Sequence, residues 1–158
     1  MSVVRYLMLL SLVVWIGGLI FFAFVLAPTV FTVLPTRQLA GNVVSRSLGL
    51  LHWMALCCGV VFAVTSMIYS RVMNGTLEPF AVRNMLVYVM IILTLVGVFG
   101  IAGRMTVLRE QIGVIDEVSQ DDPLRVEFNR LHIWSTRIEG AVLLLGLGLL
   151  YLTMRQLA

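Results

Sequence analysis

The stretch Tyr6–Ala27, YLMLLSLVVWIGGLIFFAFVLA, contains no charged residue. As a helix rising about 1.5 Å per residue it is roughly 33 Å long, enough to cross a hydrocarbon core of about 30 Å. It reads as a transmembrane helix, and three more apolar runs repeat the pattern at Leu48–Ser70, Met85–Gly103 and Ile133–Met154. Arg46 and Arg71, Arg83 and Arg104, and Arg130 and Arg155 flank those runs, as basic side chains do at membrane boundaries. A cleavable leader is the rival reading of the first run. The segment before it carries only Arg5, its apolar stretch exceeds an ordinary leader core, and no A-x-A site precedes Pro28. The expected fold is therefore an all-α integral membrane four-helix bundle forming one domain over residues 1–158, with both termini on one side.

Composition agrees with that solvent. Of 158 residues, 60% are hydrophobic and only 12% charged, and the mean hydropathy is +1.02. A soluble domain carries roughly a quarter charged residues, so most of this surface is expected to face a lipid bilayer. All eleven basic residues are Arg, which excludes Schiff-base and P-loop lysine chemistry. The net charge of +3 does not imply nucleic acid, because the arginines stand singly between apolar runs. Cys57 and Cys58 are adjacent within an apolar run and read as small buried hydrophobes, not as a disulfide or zinc framework. No G-x-S-x-G, H-E-x-x-H or C-x-x-C occurs, which leans against an enzyme.

The two ends of the bundle differ in what protrudes. After Arg104, Met105, Leu108, Ile112 and Ile115 keep helical spacing, so the third helix is expected to run on for about fourteen residues, roughly 20 Å, before Ser119–Asp122 breaks it. Asp122 and Pro123 form an N-cap and N1 pair, and Leu124, Phe128 and Leu131 lead into the fourth span. Residues 104–132 thus form an extramembrane helical hairpin. Pro35 is expected to open a shorter helical extension over Thr36–Ser47, although Gly41 weakens it. Both hairpins protrude on one side, while the other connection is a turn around Asn74, Gly75 and Pro79. Six arginines lie on the hairpin side (37, 46, 104, 109, 125, 130) and four on the terminal side (5, 71, 83, 155). That bias places the hairpins in the cytoplasm, with a bacterial inner membrane as the expected location.

Glu139 is the most informative residue, because a carboxyl group within a span costs a few kcal/mol on insertion scales, about 3 at the helix centre, and turns toward protein or water. At 100° per residue from His132, Ser135 falls at about 300°, Thr136 at about 40° and Glu139 at about 340°, so the four share one face continued by Leu143 and Gly146. Glu139 lies roughly 10 Å deeper than His132. The bland alternative is a packing face, with Glu139 paired to Arg104 or Arg46. Arg137, near 140°, is expected to snorkel to the headgroups. His52 on the second helix enters from the same side as His132 and is expected at comparable depth. A bis-His haem from His52 and His132, or a His, His, Glu metal site (copper included) that adds Glu139, is then geometrically allowed, with Met54, Met67, Met85 and Met90 as soft ligands. Gly17, Gly18 and Gly59, with Gly97, Gly100 and Gly103, allow close helix approach.

The wording Trp15-Ile16-Gly17-Gly18, then Ala27-Pro28-Thr29-Val30-Phe31 and Leu34-Pro35, with Phe128, Leu131, His132 and Ser135 near the fourth span, resembles the transmembrane protein 205-like family. That is a four-helix membrane domain of unknown function (DUF4149-type), grouped with CopD-like membrane proteins. The resemblance singles out Trp15, Gly17, Gly18, Pro28, Phe31 and Pro35. It implies no role for His52, where the family tends to show an aromatic and proline-rich entry, nor for Glu139, where it tends to show Asn. The group includes transport-associated and copper-associated proteins. Its haem-linked members carry a first-helix His that this chain lacks, which disfavours that enzyme type. Three functions stay open. The leading one is a homo-oligomeric transport or efflux-type component with a polar track of His132, Ser135, Thr136 and Glu139, bounded by Arg104. The others are a haem- or copper-binding redox protein and a non-catalytic accessory subunit docking a protein partner through the 104–132 hairpin.

Overall fold

A computed structural model describes residues 2–113 and 117–157. The described residues form four long helices: α1 Ser2–Val33, α2 Arg37–Asn74, α3 Val82–Ile112 and α4 Pro123–Leu157. Each is long and apolar enough to cross a membrane. Large apolar side chains such as Val60, Phe99 and Leu144 stand exposed around the bundle, an arrangement suited to lipid. The chain is an all-α membrane protein, as its composition required.

The helix ends follow local chemistry, and three of them depart from expectation. α1 continues beyond Ala27 to Val33, carrying Pro28 inside it. Proline lacks an N–H and its ring crowds the carbonyl four residues back, here Phe24. The helix relieves this by widening into π-type turns over Phe22–Leu26. α2 is opened by Thr36, not Pro35: the Thr36 hydroxyl accepts from the Leu39 N–H at 3.2 Å, and Leu34–Thr36 forms the preceding bend. Gly41 does not interrupt α2. α3 stops at Ile112, where Gly113 turns the backbone at φ +70°. Residues 105–112 extend it by about 12 Å instead of the longer arm expected. Ile115 and Asp116 lie outside the described residues. On α4 the Asp122 carboxylate accepts from the Leu124 N–H at 2.9 Å, the cap that the Asp-Pro pair implied. At the opposite end Gly75, at φ +74°, closes α2.

Packing is uneven along the bundle axis. In the half nearer the termini all four helices meet around Leu12, Trp15, Phe62, Val87, Met90 and Leu149, each at most 1% exposed. Glycines let them close up there. A Cβ on Gly59 would stand 2.8 Å from Ile91 Cγ1 and 2.9 Å from Trp15 Cζ3, and one on Gly146 would stand 3.0 Å from Ile16 Cγ1. Toward the hairpins, α1 stays against α2 and α3 against α4, while contacts between the two pairs thin out. A small separate cluster of Leu108, Ile112 and Phe128 holds the second hairpin together. Cys57 faces outward instead of inward, because its position on α2 looks toward lipid, and Cys58 is half-buried.

Candidate functional site

Where the two helix pairs part, a cavity of about 670 Å³ opens between them. Both π-type segments border it: Phe22–Leu26 of α1 through Phe22, Ala23 and Phe24, and Val96–Ala102 of α3 through Gly97 and Ala102. Such segments displace side chains from the regular helical register and are frequent beside functional sites. One wall of the cavity, from α1, is aromatic and aliphatic. The opposite wall, from α4, carries His132, Ser135, Thr136 and Glu139, the polar face expected from helical periodicity, together with Asn129. Gly146, on the continuation of that face, lies below in the dry packing against Ile16 and Met90.

The deepest polar element is a pair. His52 Nε2 of α2 lies 2.5 Å from Glu139 Oε1 of α4, with the two side chains 5% and 18% exposed. In one charge state a neutral imidazole donates its Nε2–H to the carboxylate, and in the other an imidazolium and a carboxylate form an ion pair. Either way one proton is held between α2 and α4, and removing one partner strands the other polar group in a low-dielectric setting. A Cβ built on Gly97 would sit 3.8 Å from His52 Cε1 and 3.9 Å from Glu139 Oε1. The glycine thus brings the π-type segment of α3 against the pair without crowding it.

Several expectations about this site are corrected. His52 does not lie level with His132. It lies beside Glu139, because α2 begins at Arg37 and has descended about 22 Å by His52. Glu139 takes neither Arg104 nor Arg46 as its partner. Arg104 donates to Glu127 through Nε at 2.9 Å and Nη2 at 3.2 Å, a fork across α3 and α4 on the exposed hairpin, and so stands apart from the polar track. That fork holds the Glu127 carboxyl below the ordinary carboxylate range. Arg46 is exposed. Thr136 spends its hydroxyl on the His132 carbonyl of its own helix at 3.0 Å. Arg137 lies over the Trp134 ring at 5.5 Å and is exposed, in keeping with snorkelling. His52 and His132 share the cavity, but His52 Nε2 is engaged by Glu139. Among the described residues no three His, Cys, Asp or Glu side chains gather closely enough to hold a metal ion.

The resemblance residues serve this architecture. Trp15 is in the core, a Cβ on Gly18 would meet Leu51 Cδ1 at 2.7 Å, Phe31 borders the cavity, and Pro28 sits beside the first π-type segment. Gly17 has open space around it, and Pro35 lies in the bend before α2.

Two groups escaped the sequence reading. Arg83, read as a boundary residue, is buried at 5% exposure. Its guanidinium donates to Ser66 at 2.6 Å, to Ser70, and to Gln156 at 2.5 Å, tying the terminal ends of α2, α3 and α4 together. The spacing of Ser66 and Ser70, one helical turn apart in an apolar run, was the available signal. The second group is Arg109, which reaches from α3 to Asn42 of α2 at 3.3 Å and lies 5.5 Å over the Phe128 ring. On the hairpin beyond the expected span, burial pulls its guanidinium below the ordinary value.

The chain belongs to a family described as a domain of unknown function, DUF4149, whose model matches residues 10–113. No curated protein and no solved structure matches the chain. The matched stretch runs from residue 10 within α1 through α2 and α3, so it includes His52 and Gly97, whereas Glu139 lies beyond it on α4.

Proposed function

We propose that this membrane protein is a transport-type component in which the hairpin-side cavity receives the transported species and the His52–Glu139 pair is its proton-responsive floor. The observation that carries this reading is the pair itself, part-buried at 2.5 Å separation at the foot of a polar-walled cavity. Ionisable residues within a span are expensive, and they commonly mark ion pathways or proton relays. Below the pair the packing is dry, so access is from one side, and movement of the loosely coupled helix pairs would be needed to open the other. Four crossings enclose little space, which favours a homo-oligomer as the working unit. The hairpins are taken to face the cytoplasm of a bacterial cell, on the arginine bias.

Proteoliposomes with an imposed proton gradient test the reading against a panel of organic anions, organic cations and divalent metal ions. Gradient-dependent uptake of one class is expected, lost in Glu139→Gln because the amide neither ionises nor exchanges the proton. Equal flux in the variant, or no flux of any class above empty liposomes, contradicts it.

A further inference from the structure

The charges bordering the cavity are unevenly distributed. At the hairpin end stand two guanidinium groups, Arg37 and Arg109. A Cβ on Gly41 would lie 3.6 Å from Arg109 Nη2, and Arg37 is one helical turn from Gly41 on the same side of α2. No carboxylate within salt-bridge distance accompanies either of them among the described residues, and Arg109 meets neutral groups, the Asn42 side chain at 3.3 Å and the Phe128 ring at 5.5 Å. Among the described residues the one acidic group bordering the cavity, Glu139, is at the far end and already paired with His52. The first turn of α2 adds the positive end of its helix dipole beside Arg37.

Below these arginines the α1 wall changes character. Phe22, Phe24 and Phe31 present aromatic surface along the cavity, and Phe24 is 70% exposed with no protein neighbour covering it. From Arg109 down to Gly97 the cavity runs about 18 Å at 1.5 Å per residue. A cationic mouth, an apolar flank and a floor whose carboxylate is already paired are complementary to a molecule with an anionic head and an apolar tail. We propose that the cavity binds an amphiphilic anion, its phosphate or carboxylate head between Arg37 and Arg109 and its chain lying along Phe22, Phe24 and Phe31. This names the substrate class for the transport reading and rests on it for its physiological meaning, although the binding itself needs no gradient.

Native mass spectrometry of the full chain in a neutral detergent tests this with dodecyl phosphate, inorganic phosphate and dodecyltrimethylammonium as probes. One dodecyl phosphate per chain is expected. Inorganic phosphate should not displace it at equal concentration, and the alkyl cation should not bind. Arg109→Gln should weaken binding by at least about tenfold, whereas Arg109→Lys retains most of it. Gln38→Glu is the second probe, because an acid in the first turn suits helix α2 while it places negative charge at the mouth. It too should weaken binding by about tenfold. Displacement by inorganic phosphate would show that the tail contributes nothing and would overturn the amphiphile. So would equal binding of the cation, or native-like binding in both Arg109→Gln and Gln38→Glu. Because binding is read without a gradient, dodecyl phosphate binding beside absent flux removes only the transport reading. Gradient-driven flux of another class without dodecyl phosphate binding removes only this one.

Discussion

The two halves of the bundle solve opposite problems with the same four helices. Near the termini, glycines at 59 and 146 bring the helices together, Phe62 and Leu149 are fully enclosed, and the buried Arg83 has its hydrogen bonds met by Ser66, Ser70 and Gln156. Near the hairpins, π-type turns displace backbone from regular packing, glycine at 97 lies against the His52–Glu139 pair without crowding it, and the polar residues face a cavity. Arg83 in the first half is a clamp, because it is buried and its donors are taken up by Ser66, Ser70 and Gln156. In the second half Arg109 borders the open cavity instead, with no carboxylate within salt-bridge distance among the described residues. Position along the axis, and not residue type, therefore separates scaffold from site.

The comparison breaks most visibly through side-chain truncation. Phe62→Ala should destabilise the protein by about 2–3 kcal/mol, below the usual cost in water because the unfolded span remains in lipid and only the packing loss counts. Phe24→Ala, on the exposed cavity wall, should cost less than about 0.5 kcal/mol. Thermal melting in one detergent compares the two, and equal losses would erase the distinction between the halves. A smaller effect separates the glycines. Gly59→Ala should cost about 1–2 kcal/mol because its methyl would sit 2.8 Å from Ile91, whereas Gly97→Ala, with 3.8 Å to His52, should stay within about 0.5 kcal/mol. The smallest concerns the tip: Asp122→Ala should cost about 1 kcal/mol, read as faster amide exchange in the first turn of α4 with unchanged flux.

Much of this was legible in the sequence, and the omissions have physical causes. Hydropathy gave the four crossings, because lipid imposes a length and a composition on each. Periodicity placed His132, Ser135, Thr136 and Glu139 on one face, and all four border the cavity. Periodicity within α4 fixes nothing about its axial offset from α2. That is why His52 was expected level with His132 and is found beside Glu139. The π-type turns had a signal in Pro28, whose ring must disturb any helix that continues through it. Arg83 was read as a boundary marker because nothing local distinguishes an arginine facing headgroups from one facing Ser66 and Ser70 across two helices. Arg109 was assigned to a solvated hairpin for the same reason, although it spans the mouth between α3 and α2.

The difference in water access between the halves is the central claim, and cysteine labelling reads it directly. In a Cys57→Ser, Cys58→Ser background, single cysteines at Ser135 and Thr136 sample the cavity, while single cysteines at Ser66 and Thr153, both fully buried, sample the terminal half. A water-soluble thiol reagent should modify the first two at least about tenfold faster than the second two. Comparable rates at all four positions, or faster reaction at 66 and 153, would contradict the account.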